Sequence, residues 1–261
     1  GWIPIEDDTV TDAPSKGNQE GIFGYGTTGT RVSTTNLVSN TGVVSSDVTG
    51  VGTARNYLAA CEYGGDKGIF GYGYSDASST ASMSNLVSNA GVVATDVTGV
   101  GTGRYNLAAC SYGEDKGIFG FGSVTAVTNL VSNAGVVATD TTGVGTAREG
   151  LAGCEYGTDT AIFAYGYDSS NLSMSNLVSN AGVVATDVTG VGTARRSTAA
   201  CGYGYDKGIF GFGYSDAGNT AVTNLVSNAG VIATDVTGVG TARNGLSATQ
   251  YGGDKGIFGF S

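Results

Sequence analysis

The sequence contains no histidine and little charge, and both shortages exclude classes of function. Its 261 residues include 0 His, and only 13% are Asp, Glu, Lys or Arg. Without histidine, a Ser-His-Asp triad and histidine-ligated zinc or copper sites are excluded. The net charge is −10 and no basic stripe is present, so we expect no nucleic-acid partner. No apolar run approaches the roughly 18 residues of a membrane-spanning helix, so we expect no membrane insertion.

Proline is scarce and glycine abundant. The chain has 2 Pro and 46 Gly, which excludes collagen and proline-rich linkers. The remaining sequence is rich in Val, Ile, Tyr and Thr and shows no apolar stripe of helical period. This combination predicts an all-β fold with many turns.

The four cysteines are spaced too widely for a zinc ribbon or a disulfide framework. Cys61, Cys110, Cys154 and Cys201 occupy one position of a repeated strand, and Thr249 occupies it in the last copy. Because threonine and cysteine are similar in size, packing is the simplest interpretation. A ring of soft-metal ligands is the alternative. Because packing is the simpler interpretation, we predict no metal and no cofactor.

A tandem repeat dominates the chain. The motif GIFGYG or a close variant begins at Gly21, Gly68, Gly117, Ala161, Gly208 and Gly256. Residues 1–20 precede the repeats as an acidic arm, and residues 21–261 are predicted to form one domain. Its repeats are 21–67, 68–116, 117–160, 161–207 and 208–255, with a partial copy at 256–261.

Each repeat is predicted to contain four strands. In chain order from the small-residue strand they are strand A (LAACSYG), strand B (GIFGYG), strand C (NLVSN) and strand D (GVVATDVTG). Strand B alternates, so Phe70 and Tyr72 are expected on the same side of the sheet.

This order resembles the Kelch-type β-propeller repeat. The features that carry the resemblance are an arginine before a small-residue strand, a short turn, an aliphatic-aromatic strand ending in glycines, and two further strands. The resemblance covers residues 21–261 and implies a propeller of four-stranded blades about 47 residues long. Near-identical glycine-rich repeats also resemble phage and bacterial surface proteins, which favours an extracellular or virion-surface location. No signal-peptide pattern is visible.

Strand counting predicts five blades. We expect residues 246–251 to supply the strand A that completes the first blade and closes the ring. Residues 256–261 and 21–26 would then compete for one position, with one copy displaced or paired with another chain.

Two variable stretches are the candidate ligand-binding surface. All differences in repeat length lie between strands B and C, and the rest of each repeat has 38 residues. The second stretch follows the repeated arginine, and the antiparallel pairing of strands A and B puts both stretches on one face. The candidate residues are Tyr74, Asp76, Tyr167, Asp168, Tyr214, Asp216, Tyr57 and Tyr105. The alternative for the aspartates is a local turn-capping role. Calcium binding through Asp168 or Asp216 is left open, although no EF-hand loop is present.

Five arginines and five aspartates recur once per repeat. The arginines are Arg55, Arg104, Arg148, Arg195 and Arg243, and the aspartates are Asp47, Asp96, Asp140, Asp187 and Asp235. The one-to-one match favours a structural contact in each repeat. The alternative is a ring of arginines that binds an anion at a channel mouth.

These observations predict a binding protein rather than an enzyme. Near-equivalent repeats suit multivalent recognition of glycans or a surface receptor, where avidity replaces single-site affinity. The alternative is a structural or assembly protein of a virion or cell surface, which self-associates through the acidic arm or the spare strand B. A glycosidase needs a distinct acidic pair, and nothing in the sequence singles one out.

Overall fold

The computed structural model describes residues 19–260, which form an all-β fold. The acidic arm predicted at residues 1–20 lies almost wholly outside this range. The strands are β1 (Gly21–Thr27), β2 (Arg31–Val38), β3 (Arg55–Asn56), β4 (Ala59–Tyr63), β5 (Lys67–Ser75), β6 (Ala81–Val87), β7 (Ala108–Tyr112), β8 (Lys116–Gly120), β9 (Thr128–Val131), β10 (Ala152–Tyr156), β11 (Thr160–Tyr167), β12 (Asn171–Val178), β13 (Arg195–Arg196), β14 (Ala199–Tyr203), β15 (Lys207–Ser215), β16 (Gly218–Val226), β17 (Ser247–Tyr251) and β18 (Lys255–Gly259).

These strands form six small antiparallel sheets, each built around one copy of strand B. We name them unit I (β1–β2), unit II (β3–β6), unit III (β7–β9), unit IV (β10–β12), unit V (β13–β16) and unit VI (β17–β18). In units II to V, strand A pairs with strand B, and strand B pairs with strand C on its other edge. The predicted order A-B-C is therefore confirmed.

The expected strand pairing is wrong where the two ends of the chain were predicted to meet. Strand β17, which covers the predicted closing strand, pairs with β18 and not with β1. The first and last copies of strand B do not compete, because β1 pairs with β2 and β18 pairs with β17 in separate sheets. The described residues thus contain six sheets and not five.

The predicted strand D is also wrong, because this segment forms only isolated bridges to strand C. In unit II the bridges are Val87 to Val93 and Ser84 to Val97. Between them the Asn85 side chain donates to the Ala94 carbonyl at 3.0 Å. A strand C side chain thus takes a carbonyl that a regular ladder would pair with backbone N–H, and the ladder is interrupted.

A β-bulge redirects the aromatic residue near the end of strand B in four of its copies, β1, β5, β11 and β15. In β5 the register shifts between Gly71 and Gly73, and Tyr72 has a φ of 64°. Its ring meets Phe119 of unit III, whereas the ring of Phe70 meets unit I. The expectation that Phe70 and Tyr72 face the same way is therefore wrong, because the bulge inserts a left-handed residue and reverses the alternation.

The core lies between neighbouring sheets, where aromatic rings cover glycines. A Cβ atom at Gly71 would lie 2.6 Å from the Phe119 ring of the next unit. The ring itself is fully buried. Much of the glycine content therefore reflects close packing of one sheet on the next.

Units VI and I contact each other as consecutive units do. Phe23 and Phe260 pair edge to face with ring centroids 5.0 Å apart, as Tyr25 and Phe70 do at 5.1 Å. The Gly252 N–H donates to the Gln19 carbonyl at 2.7 Å, at the position where other turns donate to the following unit. The series of contacts from each unit to the next therefore runs on from unit VI to unit I, although each sheet by itself is open.

Candidate functional site

The repeated arginine forms a buried clamp between consecutive units. Arg104 donates from Nε to the Phe121 carbonyl at 2.8 Å and from Nη2 to Asn129 Oδ1 at 2.6 Å. Its guanidinium also stacks over the Tyr72 ring of the preceding unit, 4.3 Å from the centroid. The same contacts recur at the other three buried arginines. These are Arg55, Arg148 and Arg195.

The repeated aspartate binds the loop that leads into the repeated arginine. Asp140 accepts hydrogen bonds from the Thr102 hydroxyl at 2.6 Å and from Asn129 Nδ2 at 2.9 Å. Partial burial raises the pKa of Asp140, but hydrogen bonds from Thr102 and Asn129 outweigh burial and lower the pKa overall. The equivalent carboxylates are Asp96, Asp187 and Asp235. Within the 4 Å limit of an ion pair, the arginine itself meets the aspartate only in Arg55–Asp96 at 3.8 Å and Arg148–Asp187 at 3.9 Å.

This arrangement leaves the four buried arginines unavailable to a dissolved anion. Each is fully buried, so the alternative of a solvent-facing arginine ring is wrong for these four. Burial lowers the pKa of Arg148 to about 10, and the Asp187 carboxylate opposes that shift. The guanidinium therefore stays protonated at neutral pH and acts as a structural cation.

The last arginine and the first aspartate lack this partnership. Arg243 stacks over Phe212 at 4.9 Å, but its buried Nε has no hydrogen-bond partner. Asp47 accepts from Asn36 Nδ2 at 2.9 Å. No arginine among residues 19–260 contacts Asn36 or Asp47. The two residues stand at the two ends of the repeat array.

Predicted ligand-binding residues come together at the junction of units I, II and III. Tyr105 contacts both Tyr57 and Tyr74, with ring centroids 6.3 Å and 6.0 Å apart. Arg31 stacks over the Tyr74 ring at 4.3 Å and forms an ion pair with Asp76. We call these five residues the first tyrosine cluster. Tyr57 is 56% exposed, so the cluster is open to solvent.

A second tyrosine cluster lies at the junction of units IV and V. The Arg196 guanidinium lies 4.4 Å from the centroid of Tyr167 and 5.0 Å from that of Tyr214. Asp216 accepts a hydrogen bond from Asn171 Nδ2 at 2.7 Å. We define this cluster by Tyr167, Tyr214, Arg196, Asp216 and Asn171.

Asp168 has a different role, because it caps its own turn. Its Oδ1 accepts from the backbone N–H groups of Ser169 at 2.6 Å and Ser170 at 3.1 Å. These hydrogen bonds lower the pKa of Asp168. This is the local turn that was the alternative interpretation of the loop aspartates.

Two equivalent positions hold an arginine and an asparagine in one cluster, and the same two residue types in the opposite order in the other. Arg31 and Asn171 each begin a strand C, and Asn56 and Arg196 each follow the repeated arginine. In the first cluster Arg31 donates to Asn56 Oδ1 at 3.3 Å. The sequence interpretation missed Arg31 and Arg196. The available signal was that only these two of the chain's arginines lie outside the repeated arginine position.

The second variable stretch forms a chain of backbone hydrogen bonds from unit to unit. The Asn106 N–H donates to Tyr57 at 2.9 Å, the Gly150 N–H to Asn106 at 2.8 Å, and the Ser197 N–H to Gly150 at 2.7 Å. Gly245 continues the series by donating to Ser197 at 3.0 Å. All five residues have a positive φ, between 52° and 70°. Their backbones are therefore fixed while their side chains differ.

The repeated cysteines lie between units. A Cβ atom at Gly117 would lie 2.5 Å from the Cys61 Sγ of the preceding unit, and Thr249 contacts Gly21 in the same way. All four thiols are free, and burial raises the pKa of Cys201 to about 12. Among residues 19–260, no group of three or more Cys, Asp or Glu side chains is placed to hold a metal ion.

No protein-family model matches this chain, and no curated protein matches it. Residues 19–260 include no helix with the length and apolar character needed to cross a membrane.

Proposed function

We propose that units I–VI are six blades arranged in a ring, a β-propeller, in place of the five four-stranded blades expected from the sequence. Consecutive units share the same aromatic pair, and from unit II onward strand A of one unit contacts strand B of the next. Units VI and I repeat both contacts through Phe23 with Phe260 and Thr249 with Gly21. The resemblance of the repeats to Kelch-type blades agrees with this arrangement.

We further propose that this chain is a non-enzymatic, multivalent binding protein that recognises glycans or a surface receptor. The observation that carries the proposal is the first tyrosine cluster, where Tyr57, Tyr74 and Tyr105 meet beside the Arg31–Asp76 ion pair. Aromatic faces stack on the apolar faces of sugar rings, and the ion pair offers donors and acceptors to hydroxyl groups.

The second tyrosine cluster supplies a related surface at equivalent repeat positions. Two weak sites on one chain raise the overall affinity for a ligand that presents repeated sugars. This layout suits a polysaccharide or a densely glycosylated surface better than a single small molecule.

The test is a glycan array followed by ligand-observed NMR on the strongest hit. Tyr57→Asn removes one ring of the first cluster, and asparagine tolerates the φ of 55° at this position. Tyr205→Asn is the matched control, because Tyr205 is 59% exposed, has a φ of 68° and lies in a turn between strands A and B. We expect Tyr57→Asn to weaken binding at least tenfold and Tyr205→Asn to leave it unchanged. An array without any ligand at millimolar sensitivity contradicts the glycan proposal.

Assembly is the second candidate function, and the outer edge of β18 favours it. Every other strand B pairs with a strand C, whereas β18 pairs only with β17 among the described residues. An open edge is a template for pairing with another chain. Sedimentation at increasing concentration tests self-association, and a strict monomer throughout contradicts this candidate.

A further inference from the structure

The two tyrosine clusters use their arginine differently. In the first cluster, Arg31 forms an ion pair with Asp76 and donates from Nε to Asn56 Oδ1 at 3.3 Å. The charge of Arg31 is therefore neutralised by a carboxylate of the protein itself. A ligand that reaches this cluster finds the guanidinium already bound to the kind of group that it binds most strongly.

In the second cluster, Arg196 makes aromatic contacts only. Its guanidinium lies 4.4 Å from the centroid of the Tyr167 ring and 5.0 Å from that of Tyr214. Among residues 19–260, no carboxylate lies within 4 Å of its nitrogen atoms, and its side chain makes no hydrogen bond. A guanidinium stacks through its flat face, whereas its N–H groups point outward in its plane. The donors of Arg196 are therefore available to a ligand.

The carboxylates of the surrounding loops do not neutralise Arg196. Asp216 accepts from Asn171 Nδ2 at 2.7 Å, and Asp168 accepts from the backbone of its own turn at 2.6 Å and 3.1 Å. Glu149 holds the same place after the preceding repeated arginine, and it forms no ion pair with Arg196 within 4 Å. The positive charge of Arg196 is thus left without a direct partner in the part of the chain that the structure describes.

The opposite order of arginine and asparagine in the two clusters explains this difference. Arg31 begins a strand C and binds the loop aspartate of the next unit, and Asn171 takes that role in the second cluster. Arg196 occupies the position of Asn56. No bond equivalent to the one between Arg31 and Asn56 forms, since Asn171 Oδ1 is buried without a hydrogen-bond partner. The arginine has therefore moved away from the aspartate that would pair with it.

Arg196 can be reached from solvent. Its side chain is only partly buried, and the Tyr214 ring beside it is 39% exposed. The adjacent Arg195 is instead fully buried, where it donates to the Phe212 carbonyl at 2.9 Å and to Asn224 Oδ1 at 2.8 Å. Of these two consecutive arginines, one therefore belongs to the structure and the other is presented at the surface.

We infer that the second tyrosine cluster binds an acidic sugar, whose carboxylate is held by Arg196 while its ring stacks on the exposed part of Tyr214. This inference rests on the proposed glycan-binding function and names the ligand class of one of its two sites. A carboxylate is the matching group because it is planar and accepts two parallel N–H bonds from one guanidinium. Uronic acids and sialic acids carry such a group on a sugar ring.

The selectivity for an acidic sugar has to be local. The chain has a net charge of −10, which opposes the approach of any anion at long range. A preference for an acidic sugar over its neutral counterpart therefore requires a specific cationic partner. Arg196 is such a partner, whereas Arg31 is already paired with Asp76.

The test is a glycan array that presents neutral, uronate-bearing, sialate-bearing and sulfated glycans to the full chain and to two variants. Arg196→Asn introduces the residue that unit II has at this position. Lys207→Asn is the matched control, because it removes the same charge at the opposite end of β15 from Tyr214. We expect Arg196→Asn to weaken binding of carboxylated glycans at least tenfold, since a hydrogen-bonded charge is lost. Lys207→Asn should leave that binding unchanged.

A second measurement separates the charge of the ligand from its shape. The strongest carboxylated glycan is compared with its methyl ester, which keeps the ring and removes the negative charge. Esterification should weaken binding to wild-type protein at least tenfold and should have little effect on binding to Arg196→Asn. Retained binding of neutral glycans by Arg196→Asn shows that the variant is folded.

The outcomes distinguish this inference from the proposed function. An array on which only neutral glycans bind would overturn the inference and leave glycan recognition in place, whereas an array without any ligand contradicts both. Carboxylated glycans that bind Arg196→Asn as tightly as wild-type protein would overturn the inference. Sulfated glycans bound in preference to carboxylated ones would overturn the choice of carboxylate.

Discussion

The repeated arginine follows a Gly-Val-Gly-Thr sequence in every repeat, but its surroundings in the fold differ. Arg104 lies between two complete units and is fully buried, whereas Arg243 faces unit VI, which has no strand C among the described residues. The contribution of each arginine to stability is therefore set by the unit that follows it.

Arg104→Ala should lower the free energy of unfolding by about 3–5 kcal/mol, because it leaves Asn129 and the Phe121 carbonyl without their buried cationic partner. Arg243→Ala, at the equivalent half-buried position, should cost less than about 1 kcal/mol. Urea denaturation followed by intrinsic fluorescence measures both. Equal costs for the two variants would contradict the clamp.

The clamp carboxylates predict a loss of stability in acid. Hydrogen bonds lower the folded-state pKa of Asp140 despite partial burial. Its contribution is therefore complete above the unfolded pKa of about 3.9 and is lost as the pH falls through the lower folded value. Asp140→Asn should reduce stability at pH 7 and make stability depend less on pH between about 5 and 2.

Asp47→Asn provides the comparison for that experiment, because no Thr-Ala-Arg loop within residues 19–260 docks on Asp47. Thermal unfolding followed at several pH values distinguishes the two variants. If Asp47→Asn flattens the acid dependence as much as Asp140→Asn does, the clamp is not its source.

At the scale of the strand, the bulge near the end of strand B is the feature that sequence alternation could not reveal. The sequence correctly predicted strands A, B and C, because their turns and apolar residues recur with a clear period. It could not predict that an aromatic residue adopts a positive φ, since only glycine and asparagine signal that conformation. The facing of Phe70 and Tyr72 was wrong for this reason.

The glycine after the bulge is required for two separable reasons. Gly73 has a φ of 107°, and a Cβ atom there would lie 2.8 Å from the Asn56 carbonyl, whereas Gly26 has a φ of 110° and no neighbour within 4 Å. Gly26→Ala should cost about 1–2 kcal/mol from backbone strain alone. Gly73→Ala should cost roughly 1–3 kcal/mol more from overpacking. Chemical denaturation of both variants measures the difference, and equal costs would show that β3 does not pack closely on the bulge.

The tyrosine clusters show what sequence reasoning could predict of the candidate site. Their tyrosines, Asp76 and Asp216 were identified because they lie in the stretches that vary among otherwise uniform repeats. The arginines that join them were missed, because Arg31 and Arg196 come from different elements and meet their partners only across unit boundaries. Contacts between repeats depend on how the sheets pack, and no single repeat contains that information.

At the scale of the whole molecule, the contact between units I and VI distinguishes a closed ring of units from an open row of units. Thr41→Cys and Lys255→Cys place probes on either side of this contact, where Gly42 packs against Tyr251 and Gly252 against Asn40. Pulsed electron paramagnetic resonance should give a separation below roughly 20 Å. An open row of six sheets packed about 10 Å apart would place them roughly 50 Å apart, and that distance would reject the ring.

Three of the four native thiols are buried, which limits background labelling at them. Burial raises the pKa of Cys110 and Cys154 well above the ordinary range of a thiol. Protonated, buried thiols react slowly with labelling reagents. Wild-type protein carried through the same labelling procedure should therefore give almost no signal.

Along the chain of backbone hydrogen bonds through the second variable stretch, the backbone conformation is constant while the side chains vary. Tyr57, Asn106, Gly150, Ser197 and Gly245 share one conformation and one hydrogen-bond pattern, yet their side chains range from none to an aromatic ring. Residues that accept a positive φ can therefore be exchanged here at little cost to the fold. The chain thus offers a ready scaffold for a combinatorial library, in which new specificities are selected at five anchored positions while the units beneath them stay unchanged.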